Sequence, residues 1–417
     1  MAILRLAWKS LLNRRGTAAL TVLTIAISVM LLLGVEQIRS QARASFTNTV
    51  SGTDLIVGAR SGQVQLLLYS VFHIGNASNN IDWQSYREIA AHPQVDWTIP
   101  ISLGDSHRGF RVVGTSSALF DRFRYGRERT LVFEDGRPFA DLHDAVIGAE
   151  VAQALGYSLG QRIVIAHGLG STSFANHDDQ PFQVVGILGS TGTPMDRSVL
   201  VSLEAIEAIH SGWASGIRLP GRSSAEPGGQ DLTPEQITAF LVGLKSKVAT
   251  FRLQRAINEY RKEPLQAILP GVALTELWSL MGVAERALLL VSGCAVLSGL
   301  AGMLTVLLSG LRERRREIAI LRSVGARPWQ LLLLLTSEAA LLTLLGGLLG
   351  LVLVYAGLWI LQPLAEQWAG LQLELLAPTL RQWMLLALVQ GAGILVGLIP
   401  GWRAYRYSLA DGMTIRI

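Results

Sequence analysis

Apolar positions in this chain gather into four long, nearly uncharged runs separated by polar stretches of very unequal length. The first, residues 17–35, reads "TAALTVLTIAISVMLLLGV", nineteen residues without a charge. As a helix it would be about 28 Å long, enough to cross a bilayer. Residues 287–311 form a second run of twenty-five uncharged residues between Arg286 and Arg312. The third, residues 329–361, contains one acid, Glu338, and the fourth covers residues 383–400. Trp329, Trp359, Trp383 and Trp402 stand at or near run ends, where indole rings favour the headgroup layer. The pattern predicts a membrane protein with four transmembrane α-helices.

Between the first and second runs the periodicity changes. "TDLIVGA", "WTIPISL", "FRVVGT", "RIVIAHG" and "FQVVGIL" read as strands, whereas "WQSYREIAAH", "AVIGAEVAQAL" and "LEAIEAIH" carry helical spacing. Residues 36–286 are therefore expected to fold as a large α+β domain. Residues 216–236, rich in Gly, Pro and Ser, predict a mobile loop ending where Thr233 caps a helix that starts at Pro234 and runs toward Tyr260. The flanking segments "EQIRSQARASFTNTV" and "LTELWSLMGVAER" either prolong the spans as a helical stalk or form separate interfacial linkers, and periodicity leaves both open.

Charge sets the orientation. Residues 1–16 carry Arg5, Lys9, Arg14 and Arg15 without an acid, residues 312–328 carry six arginines, and residues 401–417 carry three. The positive-inside rule puts all three on the cytoplasmic side of the membrane. This predicts a basic cytoplasmic helix (1–16), a first span (17–35), an outer α+β domain with stalk (36–286) and a second span (287–311). A cytoplasmic connecting helix (312–328), a third span (329–361), a short outer loop (362–382), a fourth span (383–400) and a cytoplasmic tail (401–417) follow. A cleavable signal peptide ending at "ARA", residues 42–44, is disfavoured because the apolar core is too long and the site too distant from it.

Composition narrows the class. Half the residues are hydrophobic and 16% are charged. The lone cysteine, Cys294, excludes a disulfide framework and a multi-cysteine metal site. The net charge of +5 resides in arginines beside apolar runs and not in a basic groove, which argues against nucleic acid as a partner.

Within residues 312–328, "REIAILRSVGARP" places Ile318, Leu321 and Val324 at three-residue steps, with Ile320 adding to that face. Gly325 is positioned to end the helix in a left-handed conformation, and Pro328 suits the first turn of the next one. A short helix with an apolar face ringed by guanidinium groups fits a groove with acidic edges on a partner. An arginine-rich topogenic loop held by anionic lipid accounts for the same arginines, and spacing does not separate the two.

"EIAILRSVGAR" resembles the cytoplasmic coupling helix of the MacB/FtsX/LolC-type permeases, the four-span subunits of type VII ABC transporters. The resemblance extends to "LAWKSLLNRRGTAALTVLTIAISV", "AVIGAEVAQALGYSLGQRIVIA", "FQVVGILGSTGTPMDRSVLVSLEAI", "LTSEAALLTLLGGLLGLVL" and "PGWRAYRYSLADGM". It implies a permease homodimer in a bacterial inner membrane, with the α+β domain and the 362–382 loop in the periplasm, joined to two cytoplasmic ATPase subunits. ATP-driven closure would move the periplasmic domains on an envelope substrate or accessory protein, by mechanotransmission. It also implies an outer domain with a smaller subdomain inserted in a larger one, and coupling contacts at Glu317, Ile318, Leu321, Arg322, Gly325 and Ala326, with Arg316 and Arg327 at the margins. MacB itself carries its nucleotide-binding domain ahead of the first span, whereas sixteen residues precede it here and no G-x-x-x-x-G-K-[ST] loop occurs. ATP and Mg are thus expected in a partner ATPase, with no cofactor bound by this chain. A membrane sensor or scaffold that regulates an envelope partner without an ATPase is the alternative.

Other residues carry secondary expectations. Gly299 with Gly302, Gly346 with Gly350 and Gly393 with Gly397 recur at close-packing intervals, within one subunit or across a dimer. Glu338 needs a partner inside the bilayer, and a structural hydrogen bond is favoured over a proton relay. His167, His177, Asp178 and Asp179 form a weak metal candidate without metal-ligand spacing. No nucleophile elbow, metalloprotease motif or pair of intramembrane aspartates is present to support hydrolysis.

Overall fold

The computed structural model describes residues 2–49, 51–126, 128–168, 180–210, 232–313, 315–369 and 377–406. The chain divides into two compact units, one built from Met1–Gln41, Gly282–Glu366 and Leu373–Ile417, the other from Ala42–Met281 and Gln367–Gln372.

The apolar runs become helices that outlast them. After an amphipathic N-terminal helix, Ala2–Asn13, Arg14 makes a turn, and span helix 1 runs from Arg15 to Thr49. Span helix 2 is Pro270–Glu313, span helix 3 Pro328–Ala369 and span helix 4 Leu380–Arg406. All four are long and apolar enough to cross a membrane. Both segments whose character the periodicity left open are helical. Near their outer ends the Phe46 ring lies 5.5 Å from Trp278 and 4.4 Å from Phe72, and the Arg43 guanidinium stands 5.3 Å over Trp278, an aromatic and cation–π clasp between the two helices. Span helix 3 continues past its apolar run, so helix takes up part of the predicted 362–382 loop; residues 370–376 of that loop lie outside the described residues.

Close-packing glycines explain how the bundle meets. A Cβ at Gly346 would stand 2.6 Å from the Ile25 side chain, and one at Gly350 would stand 2.8 Å from the Ala26 carbonyl, so helix 3 approaches helix 1 through these two positions. Gly393 and Gly397 bring helix 4 equally close to Thr343 and Ala339 of helix 3, and Gly299 faces Ser28 of helix 1. Ser28 Oγ donates across that contact to the Ala295 carbonyl at 3.0 Å. Gly302, paired with Gly299 by spacing, has nothing within 4 Å. Five of the six glycines thus pack within the subunit.

In the second unit, eleven strands among the described residues form one sheet. Its order is Leu265–Ile268, Leu55–Ala59, Ala239–Leu244, Val95–His107, Phe110–Thr115, Ser198–Ser202, Asp144–Ile147, Phe182–Leu188 and Phe133–Gly136, with two short strands paired alongside. Two pairings are parallel, Ser198–Ser202 with Phe110–Thr115 and Phe182–Leu188 with Asp144–Ile147. Strand alternation sorts the core. Ile56, Val113, Val146 and Leu200 belong to one continuous apolar cluster. On the other face Leu55 and Val57 join one cluster, while Val112, Ile147, Val199 and Val201 join a separate one. The expected two subdomains therefore share a single sheet and one core face, and part only on the opposite face.

The predicted helix at Pro234 is absent. Gln236–Ile237 and Ala239–Leu244 are strands, and the helix begins only at Thr250. The "LTPEQ" signal was local, whereas "AFLVGL" is drawn into the sheet interior between Leu55–Ala59 and Val95–His107. Residues 216–231 of the predicted mobile loop lie outside the described residues, and "AVIGAEVAQAL" divides into the strand Asp144–Ile147 and the helix Ala149–Leu155.

One buried histidine gives this unit a pH response. His73, at φ 54°, sits 3.0 Å from Ser198 Oγ through Nδ1, and Nε2 is buried without a partner. Burial, then the neighbouring Arg111 cation, pushes its pKa down to about 4. An unfolded histidine titrates near 6.5, so the unfolded chain binds the extra proton first. The neutral ring's contribution is complete above that value and is lost as pH falls toward 4, at most about 3 kcal/mol. His210 opposes it: burial lowers its pKa, but Asp105, 3.5 Å away, and the Glu207 charge together raise it on balance. Thermal unfolding of the protein should shift to lower temperature between pH 7 and 4.5, and less so in His73→Asn, which tolerates the left-handed backbone. Identical pH dependence in the two proteins would refute the assignment.

Candidate functional site

Arginine-rich residues 312–328 fold as anticipated into helix, stop, helix. The connecting helix is Arg315–Ser323, and Gly325 takes φ 102°. Ala326 N–H donates to the Leu321 carbonyl and Gly325 N–H to the Arg322 carbonyl, each at 3.0 Å, the two bonds of a Schellman cap. Pro328 opens span helix 3, and Gln330 Oε1 accepts the Arg327 N–H at 2.8 Å while Gln330 N–H donates back to the Arg327 carbonyl at 2.9 Å. Both ends of the turn are thereby fixed.

The apolar face divides in two. Ile318, 8% exposed, packs with Leu311, Leu331, Leu335 and Ala404, and Leu321 leans on the same cluster. Ile320 and Val324, one turn apart, are 55% and 84% exposed. Of the residues proposed for coupling, Ile318 and Leu321 thus seat the helix on its own bundle, and Gly325 and Arg327 lie exposed beside Val324. Arg322 and Ala326 are half-buried. The side chains of Arg316 and Glu317 lie outside the described residues. Ile320 and Val324 carried the apolar periodicity, yet which of the four would face outward depends on the packing of helices 2, 3 and 4, which local spacing does not contain.

Beside this helix a cleft of about 420 Å³ opens toward the N-terminal helix. Its floor is Leu331, Leu334 and Leu335, and its rim is Lys9, Asn13 and Arg14. A neighbouring cavity of about 40 Å³ is lined by Arg14 and Glu338, among others. Glu338 is buried and engaged with a partner, as its position in a span requires. Arg14 reaches this place across Gly310, where a Cβ would stand 2.6 Å from its Nη1.

At the opposite end of the bundle lies a polar cluster that run-by-run reading missed. Glu36, 2% exposed, accepts two bonds from Arg39 at 2.7 and 3.1 Å, and Arg381 approaches it at 3.3 Å. Arg39 also reaches Glu285 at 3.6 Å, and Gln382 Nε2 donates to Gln37 Oε1 at 2.6 Å. Span helices 1, 2 and 4 are joined there. These residues flank three different runs at their polar edges, so only their convergence marks them.

The metal candidate falls largely outside view: the side chain of His167, and His177, Asp178 and Asp179 entirely, lie outside the described residues. Among the described residues no group of three or more His, Cys, Asp or Glu side chains is arranged to hold a metal.

Two families of known proteins account for this architecture. The MacB-like periplasmic core domain matches residues 18–260, and the FtsX-like permease C-terminal domain matches residues 289–409. The chain belongs to this family and is an ABC transporter permease of the MacB type, a multi-pass membrane protein of the type VII class. It is 27% identical over 382 residues to the pyoverdine export ATP-binding/permease protein PvdT of Pseudomonas syringae pv. tomato, covering 84% of this chain and 51% of that protein. It is 28% identical over 127 residues, 30% of each chain, to the uncharacterized ABC transporter permease YknZ of Bacillus subtilis. The periplasmic region of MacB from Actinobacillus actinomycetemcomitans aligns with 55% of this chain and 94% of its own length at 12% identity and a TM-score of 0.34. The chain spans about half the length of the curated relatives it first matches.

Proposed function

We propose that this permease works as a homodimer with two separate ATPase subunits and converts their ATP-driven closure into movement of the α+β domains. The observation that carries the reading is the exposed Ile320–Val324 edge on a helix capped at both ends of its turn and set between two span helices. Force applied there has a direct path into span helices 2 and 3, and helices 1 and 2 run on unbroken beyond the bilayer segment. The six arginines around this helix favour a cytoplasmic placement in a bacterial inner membrane, with both termini on that side, and suit acidic edges on an ATPase groove. ATP and Mg belong to the ATPase in this account, and the relative YknZ is named a permease alone. The name of the PvdT relative speaks of export; for this chain we infer action on a periplasmic or envelope substrate, with an accessory protein as a further partner.

The experiment is to purify the chain by a tag from membranes of its own host and weigh the complex by native mass spectrometry. Two copies of this chain with two of an ATPase are expected. A permease recovered repeatedly without any ATPase would contradict the proposal and favour an ATPase-independent scaffold.

A further inference from the structure

The cleft between the N-terminal helix and the connecting helix has the make-up of a lipid site. Its floor is apolar, and its described lining includes Lys9 and Arg14 but no acid. Lys9 is exposed at the rim with Asn13 beside it, so a cation and an amide are presented to whatever occupies the space. The N-terminal helix also exposes Leu6, Trp8 and Leu12, which belongs to a helix lying in the headgroup layer. Apolar floor, cationic rim and the exposed apolar side chains of the adjoining helix together match one ligand: an acyl chain joined to an anionic headgroup. Basic pockets between membrane helices bind such headgroups through the same chemistry.

We propose that this cleft binds one anionic phospholipid, its phosphate on Lys9 and Asn13 and its acyl chain along Leu334 and Leu335. The lipid would wedge between the N-terminal and connecting helices, packing against Ile320 and Leu321 from the side. This inference stands on the cleft alone and does not require the ATPase reading.

The test uses the full chain in nanodiscs of equimolar phosphatidylglycerol and phosphatidylcholine, followed by detergent extraction and native mass spectrometry of the lipids retained. Wild type should keep phosphatidylglycerol over phosphatidylcholine by about fivefold, the size expected for one lysine near an anionic surface. Lys9→Ala should abolish that preference, whereas Arg403→Ala, a basic position outside the cleft, should keep it. Leu334→Trp, which fills the floor, should lower retention without changing charge. Equal retention of both lipids by wild type, or an unchanged preference in Lys9→Ala, would overturn the proposal. Displacement of phosphatidylglycerol by millimolar inorganic phosphate would reassign the site to a free anion. Protection of Lys9 from an amine reagent by a copurified ATPase after lipid removal would reassign it to protein, and either result overturns the lipid assignment.

Discussion

Replacing Gly393 with leucine should remove most of the protein from the folded pool. A Cβ at that position would lie 2.1 Å from Thr343 Cγ2 and 2.8 Å from both Thr343 Cβ and Oγ1, so rotating the threonine cannot relieve the overlap. Helix 4 must instead move away from helix 3. That movement also breaks a polar link, because Thr343 Oγ1 donates to Gln390 Oε1 at 3.0 Å and Gln390 Nε2 donates back to the Ala340 carbonyl at 3.1 Å. Overpacking at a close helix contact and loss of interhelical bonds together should cost about 3 kcal/mol or more. Gly391 is the control on the same helix: nothing lies within 4 Å of its added Cβ, so Gly391→Leu should stay within about 0.5 kcal/mol of wild type. Size-exclusion profiles after stepwise heating in detergent compare the three. Equal loss in both variants, or none in Gly393→Leu, would contradict the packing described.

The second large effect concerns the connecting helix, where two neighbouring apolar residues should behave differently. Val324 is 84% exposed, so Val324→Asp should leave the bundle intact while weakening ATPase attachment at least about tenfold. Ile320→Asp should do the same. Leu321 packs against the apolar cluster that contains Ile318, Leu311 and Leu335, so Leu321→Asp should lower stability as well as attachment, by the cost of placing a carboxylate against apolar neighbours. Thermal stability of the permease measured alone, beside ATPase recovery from membranes, separates the two outcomes. A destabilised Val324→Asp, or an undamaged Leu321→Asp, would reverse the assignment of inner and outer faces.

Much of this organisation is legible in the sequence, for identifiable reasons. A bilayer demands long uncharged helices, so four runs mark four spans whatever surrounds them. Gly325 and Pro328 announced their roles because a left-handed stop and a first-turn proline depend on local backbone chemistry. The helix expected after Thr233 failed for the complementary reason. Its capping signal was local, but the sheet position between two other strands was decided by residues far away in sequence. The same limit hid the Glu36, Arg39, Glu285 and Arg381 cluster, whose members come from three helices. It also hid the burial of Ile318 and the exposure of Val324, since periodicity defines a face without saying what that face meets.

In the proposed assembly, movement at the connecting helix reaches the α+β domain. The direct measurement is a distance across the proposed dimer. With Cys294→Ser as background, a single cysteine introduced at exposed Ser279 carries one spin label per chain, and the separation is read in the purified ATPase complex with and without ATP. An ATP-dependent change in that distance is expected, abolished by Val324→Asp. An unchanged distance in a complex that turns over ATP, or the same change in the variant, would contradict it.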